Sequence, residues 1–227
     1  MGGLYLALSC LQGRPMRQAF DALATLGVGV QLTPGNEPTP DFARHVAASG
    51  VPTRTHHGFS FERRAGKVWS DEGACVASSD SVHPPRHDSP AAEHFSRWLE
   101  ANPQARVLET MYPGYCLGSG DALEQALTRS VPLAVDVSHL FIQRTAGVLT
   151  DGTLRRVLDS PHVVEVHVSQ NDGRHDSHRP LRRDSFELGW ARERLSSGLP
   201  VIYEAYLHLL SDDARRAQLD LVRQALT

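Results

Sequence analysis

Residues 106–139 read RVLETMYPGYCLGSGDALEQALTRSVPLAVDVSH, and the order of patterns in this stretch sets the fold. An apolar run at 106–109 stops at Glu109, an amphipathic segment follows at 121–129, and a second apolar run at 132–135 stops at Asp136. Short runs bounded by turn residues suit buried strands, and apolar positions recurring at helical spacing suit a helix packed by one face. Strand, helix, strand in that order builds parallel strands joined by a crossover helix.

The same alternation extends in both directions. Further apolar runs lie at 4–8, 28–32, 51–55, 76–82, 163–168 and 200–203, and further amphipathic stretches at 16–26, 41–49, 91–101, 153–158, 185–196 and 213–226. Several of these begin after Pro, Ser, Thr or Asp, residues suited to helix starts. The count is eight strand–helix units, which predicts an α/β chain folded as a single compact (βα)₈ barrel over residues 1–227. No helix is evident after the third run. The segment 59–74 is instead polar, contains Gly and Arg, carries Trp69 at its middle, and reads as a lid or binding loop.

No G-x-G-x-x-G or Walker-type motif follows any run, which removes the main support for a nucleotide-binding open sheet. Neither a stretch of roughly 20 apolar residues nor a basic, apolar leader is present, so the expectation is a cytoplasmic protein with no membrane contact. A formal net charge of −3 offers no general attraction to phosphate backbones and makes nucleic acid an unlikely partner. Cys10, Cys75 and Cys116 are odd in number and far apart, which suits buried small hydrophobes better than disulfides or a thiolate zinc site. The unusual feature is twelve histidines against five tyrosines and three tryptophans, because imidazole is the commonest metal ligand.

Where those histidines fall gives them meaning. The working residues of such a barrel come from the C-terminal strand ends, which share one face. His57 ends the third run, His83 the fourth, Glu109 the fifth, Asp136 the sixth, His167 the seventh and Glu204 the eighth. His139 follows Asp136 by three residues, and Asp176 with His178 lies in the loop after the seventh run. Any one of these alone is adequately explained as a cap or a solvated loop residue. Gathered at one spot without a partner, they would cost several kcal/mol per buried charge, and the carboxylates would repel. Two or three divalent or trivalent ions resolve that conflict, since Glu109, Asp136, Asp176 and Glu204 carry a formal charge of −4. Mixed imidazole and carboxylate donors suit iron, zinc or manganese rather than calcium or magnesium. Glu109 and Glu204 are also the candidate catalytic groups.

His45, His56, His87, His94, His162 and His208 are expected at the surface, His56 because it alternates with His57 along a strand. His178 is preferred to His175 because it shares one side of an extended loop with Asp176. For substrate contacts the candidates are Arg174 and Arg179, in a loop able to hold an anionic group, with Tyr112 and Trp190 lining the mouth.

The order His57, His83, Glu109, Asp136, His139, His167, Asp176, His178, Glu204 resembles the metal constellation of the xylose-isomerase-like and endonuclease IV-like barrel superfamily. Within it, His57-Gly58-Phe59-Ser60, the stretch Leu108-Glu109-Thr110-Met111-Tyr112 with Tyr115, and His167 followed by Asp176-Ser177-His178-Arg179-Pro180-Leu181 resemble elements of the multinuclear non-haem iron-dependent oxidative enzymes. Asp136-Val137-Ser138-His139 departs from that family's D-x-N-N and has the Asp-x-x-His form of endonuclease IV and many sugar epimerases. The resemblance implies an iron centre that oxidises a peptide or small thiol-containing substrate, with a partner or leader-peptide-binding protein guiding it. The alternatives are a sugar or hydroxy-carbonyl isomerase using one divalent ion and two glutamates, a zinc phosphodiesterase of endonuclease IV type, and a non-catalytic scaffold.

Overall fold

The computed structural model describes residues 3–32, 40–58, 80–104 and 106–226, excluding the side chains of His57 and Gly58. The loop expected at 59–74 and Cys75 lie outside the described residues. Eight parallel strands close on themselves in sequence order: β1 (Leu4–Ala7), β2 (Gly29–Leu32), β3 (Thr53–Gly58), β4 (Ser81–His83), β5 (Val107–Glu109), β6 (Leu133–Asp136), β7 (Val163–Val168) and β8 (Val201–Tyr203). Closure is made by β1 against β8, where Leu4, Tyr5 and Leu6 stand opposite Val201, Ile202 and Tyr203. The expected (βα)₈ barrel is therefore the fold.

Helices α1 (Met16–Ala24), α2 (Pro40–Ser49), α3 (Ala91–Ala101), α4 (Gly120–Thr128), α5 (Val137–Thr145), α6 (Asp151–Leu158), α7 (Leu188–Ser196) and α8 (Asp212–Leu226) accompany the strands. The core between the strands and this helical layer contains Leu6, Phe20, Leu23, Val82, Phe95, Leu108, Leu123, Leu133 and Val166, all essentially excluded from solvent. Ser119 and Thr150 start α4 and α6 in the expected manner, each side-chain oxygen accepting from a backbone N–H in the first turn.

Three elements differ from expectation in ways that bear on function. A 3₁₀ turn at Leu8–Leu11 continues β1 over the barrel mouth. Helix α5 was not legible because it is enclosed on nearly every side: Val137, Ser138, His139, Leu140, Ile142 and Gln143 are all buried, so its sequence lacks a polar face. Strand β3 also runs past residue 55 to Gly58, carrying both adjacent histidines into the sheet.

The floor of the barrel is packed. Tyr5 fills it beside Gly29, where any Cβ would meet the Tyr5 ring at 2.2 Å, so glycine is required for closure at that level. The Arg54 guanidinium lies 6.0 Å from the centre of the same ring.

Candidate metal centre

Glu109, the last residue of β5, has no solvent exposure, and its two carboxylate oxygens face different imidazoles. Oε2 lies 3.0 Å from His56 Nε2 and 2.6 Å from His83 Nε2. Oε1 lies 3.3 Å from His139 Nδ1 and 3.4 Å from His167 Nδ1. Among the described residues neither oxygen has a partner with the directional geometry of a hydrogen bond.

One nitrogen each of His167, His56 and His139 already has a hydrogen-bonding partner, and in His139 it is the same Nδ1 that faces Glu109. His167 Nε2 is 2.7 Å from Glu165 Oε1, His56 Nδ1 is 2.8 Å from Ser81 Oγ, and His139 Nδ1 is 2.9 Å from the Thr110 carbonyl. His167 Nδ1, His56 Nε2 and His139 Nε2 have no hydrogen-bond partner among the described residues. Asp136 is divided in the same way. Its Oδ1 caps α5 by accepting from the Ser138 and His139 backbone N–H groups at 2.6 and 3.0 Å, while the buried Oδ2 has no hydrogen-bond partner among the described residues.

Donor atoms gather into two groups and a further set. His56, His83 and Glu109 form the first, and Glu109, Asp136, His167 and Glu204 the second; within each, one atom per residue lies within 4.8 Å of every other. The further set joins Asp176 Oδ2 to His139 Nε2 at 3.3 Å and to His178 Nε2 at 3.0 Å. Donor atoms about 2.1 Å from one ion lie about 3.0 to 3.4 Å apart in octahedral and tetrahedral shells. Most of the contacts above fall in or near that range, so the residues fit metal ions. His56, Glu165 and His167 also cluster. Glu165, however, accepts at both oxygens, from Ser81 Oγ at 2.5 Å, from His167, and from Arg54 Nε at 2.8 Å and Nη2, which leaves it no free donor capacity.

The electrostatics carry the same mark of crowding. Burial alone would raise the Glu109 carboxyl, but the rings of His83, His167 and His56 hold it well below the usual range. Burial pushes Glu204 up to about 7, with His167 opposing and the Glu109 charge adding to the rise. Burial lowers His56 to about 4 against the pull of Glu109. His139 and His167 behave oppositely: burial would lower them, but the surrounding carboxylates hold both well above the ordinary imidazole value. Four carboxylates this close cannot all stay charged at low cost without added positive charge.

A cavity of about 300 Å³ opens over the centre. His56, His83, His139, Asp176, His178 and Glu204 form one part of its lining, and residues from the 3₁₀ turn to the start of α1, among them Leu8, Leu11, Arg14 and Met16, form another. Glu109 is not part of that lining. His178 stands in the left-handed backbone region at φ 42°, a conformation that typically costs about 1 kcal/mol or more in a non-glycine residue, and its carbonyl is tied to Tyr206 N–H at 2.7 Å. Local strain is thus accepted to aim this ring at Asp176.

The structure brings His83, Glu109, Asp136, His139, His167, Asp176, His178 and Glu204 together. The His57 side chain lies outside the described residues. His56, expected at the surface, is 2% exposed and occupies the first group, a correction that follows from strand parity: Arg54 and His56 share the face turned to Glu165 and Glu109. His175 is exposed and pairs with Asp172, away from the centre. Tyr112 does border it, its ring 5.0 Å from that of His139.

Other expected substrate contacts fall elsewhere. Arg174 and Arg179 are exposed and line no part of the cavity; Arg179 pairs with Asp172 because a two-way backbone bridge to Gln170 turns it outward. Trp190 sits on α7 in the outer layer, donating its indole N–H to the Leu158 carbonyl at 3.0 Å beneath Arg194, and has a packing role. Arg14 and the turn at Leu8–Leu11 were missed, since a short apolar run followed by GRP carries no signal of a cavity wall.

No family model and no curated protein matches the chain. Among solved structures, a D-tagatose 3-epimerase-like protein superposes with a TM-score of 0.60 at 12% identity, covering 99% of this chain and 100% of its own. CitE from Mycobacterium tuberculosis, complexed with the triphosphate group of ATP, gives 0.43 at 13% identity, covering 100% of this chain and 97% of its own. SacUVDE gives 0.37 at 10%, covering 97% and 78%. At 12% identity the first of these likenesses shows a shared barrel fold over the full length of both chains.

Proposed function

We propose that this chain is a metal-dependent enzyme with a centre of two or three ions, and that with iron it oxidises a small thiol-containing or peptide substrate. The observation that carries the reading is Glu109: a sequestered carboxylate whose two oxygens serve two separate sets of imidazoles is built to bridge ions, not to bind one. His56 and His83 would hold the first ion with Glu109, and Asp136, His167 and Glu204 the second. His139, Asp176 and His178 would hold the third. Bound iron would supply redox chemistry with dioxygen and Lewis acidity toward a substrate heteroatom.

The chain's own residues do the rest. The cavity admits a small molecule or one side chain of a peptide, not a duplex. Leu8, Leu11 and Met16 give the same cavity apolar surface, and Arg14 brings a positive charge to it. Glu204, unlike Glu109, reaches the cavity surface and so stands beside whatever molecule occupies it.

The one-ion isomerase reading draws on the shared fold and on the central four ligands. It requires both glutamates to reach the substrate, and Glu109 does not line the cavity. A zinc phosphodiesterase would use the same three groups and differs in the metal. Protein purified without added metal should contain two or three ions per chain, and after anaerobic loading with Fe(II) should develop visible absorption on admission of air. Zinc alone, with no response to dioxygen, would overturn the oxidative reading.

A further inference from the structure

Beneath the metal centre lies a buried network that none of the reactions above employs. Glu165, on β7, is fully enclosed, as is Ser81 on β4. Arg54 donates to Glu165 Oε2 through Nε at 2.8 Å and through Nη2. Ser81 Oγ donates to Oε1 at 2.5 Å, and His167 Nε2 stands 2.7 Å from the same oxygen. His56 Nδ1 in turn stands 2.8 Å from Ser81 Oγ.

The proton positions follow from donor counting. A carboxylate only accepts, so a neutral His167 ring carries its one proton on Nε2. Ser81 has one proton and gives it to Glu165, so at His56 it accepts, and His56 carries its proton on Nδ1. The free lone pairs are therefore His167 Nδ1 and His56 Nε2, the two atoms that face Glu109. They belong to different ligand groups, so one carboxylate sets the ring state in both.

We infer that Glu165 is a positioning residue for two metal sites at once, fixing the His167 tautomer directly and the His56 tautomer through Ser81, with Arg54 as the anchor that orients it. This rests on the metal-centre reading for its purpose but not for its geometry. Carboxylate partners of ligating histidines typically change metal affinity by about 10- to 100-fold when removed.

Glu165→Gln is the diagnostic substitution because an amide has only one accepting end. Arg54, with two donors directed at one oxygen, claims that end. The amide NH₂ is then left facing His167 and Ser81. His167 must accept at Nε2 and move its proton to Nδ1, and Ser81, now receiving a proton from the amide, donates to His56 Nδ1. Both tautomers invert, and both ligand lone pairs are lost.

Long-range ¹H–¹⁵N NMR of the metal-free protein, recorded at a pH alkaline enough that each ring carries a single proton, reads each ring directly. The native protein should show His167 protonated at Nε2 and His56 at Nδ1, with both reversed in Glu165→Gln. Ser81→Ala, a small change that leaves the Arg54–Glu165 pair intact, should release the His56 tautomer alone, and Ser81→Thr should restore it. With Co(II) as probe, followed by its visible absorption, Glu165→Gln should weaken two sites by at least about tenfold and Ser81→Ala only one. Unchanged tautomers in both variants, or unchanged Co(II) affinities in variants whose tautomers have moved, would overturn the inference. A native protein that shows the stated tautomers yet binds no Co(II) would instead overturn the metal-centre reading.

Discussion

The barrel mouth has two unequal arcs. Strands β3 to β8 each bring an ionisable ligand to the centre from their C-terminal ends or the loops that follow, whereas the residues of β1 and β2 end in Ala7 and Leu32. On the first arc charged groups are buried at a cost and compensate one another. The described ends of the other two strands are apolar, and the 3₁₀ turn after β1 joins the cavity lining. The comparison teaches a division of labour under the proposed function: one side of the barrel gathers the groups that would hold ions, and the other would leave a face for substrate.

The largest test of this division is Glu109→Gln. Replacing one bridging oxygen with an amide should reduce bound metal from two or three ions to one at most, with turnover falling about a hundredfold or more. Elemental analysis and steady-state kinetics measure both, and retention of the full metal content would mean that Glu109 does not bridge. Next, His56→Ala should remove about one ion per chain, while His45→Ala, on α2 against Asp21, should change nothing. Equal metal content in the two variants would put His56 back among the structural histidines.

A subtler division runs through Asp136, which serves α5 with one oxygen and the centre with the other. Asp136→Asn and Asp136→Ala should both lose the central ion. Only the alanine variant loses the cap, so metal-free Asp136→Ala should be about 1 kcal/mol less stable than Asp136→Asn in urea denaturation. Equal stabilities would mean that the cap contributes nothing. The smallest effect belongs to the bare arc: Arg14→Gln or Leu11→Ala should raise KM by up to about tenfold, some 1.4 kcal/mol, with ions per chain unchanged. A loss of metal there would erase the distinction between the arcs.

Most of the barrel was legible because strands buried on both faces and helices with one wet face have different periods. Helix α5 broke that rule by being wet on neither face, and its only starting signal was Asp136, which reads equally well as a strand-end ligand. The strand-end candidates were legible from β4 onward because each strand closes on a single one, even in β7, where Glu165 stands two residues before His167. At β3 two histidines are adjacent, and choosing between them requires the parity of the strand. Parity is set by Arg54 meeting Glu165, a contact spanning 111 residues that no local pattern encodes. The misplaced substrate contacts share a cause: charge and aromaticity in a loop or helix do not say which way a side chain turns, and Arg179 and Trp190 spend theirs on local partners.

The central claim is that Glu109 joins at least two ions. Anomalous diffraction from metal-loaded crystals, collected at the absorption edge of the bound element, tests it directly. The account predicts one peak between Glu109 and the pair His56 and His83, and a second between Glu109 and the trio Asp136, His167 and Glu204. A single peak at the second position, with Glu109 coordinating through one oxygen, would contradict it.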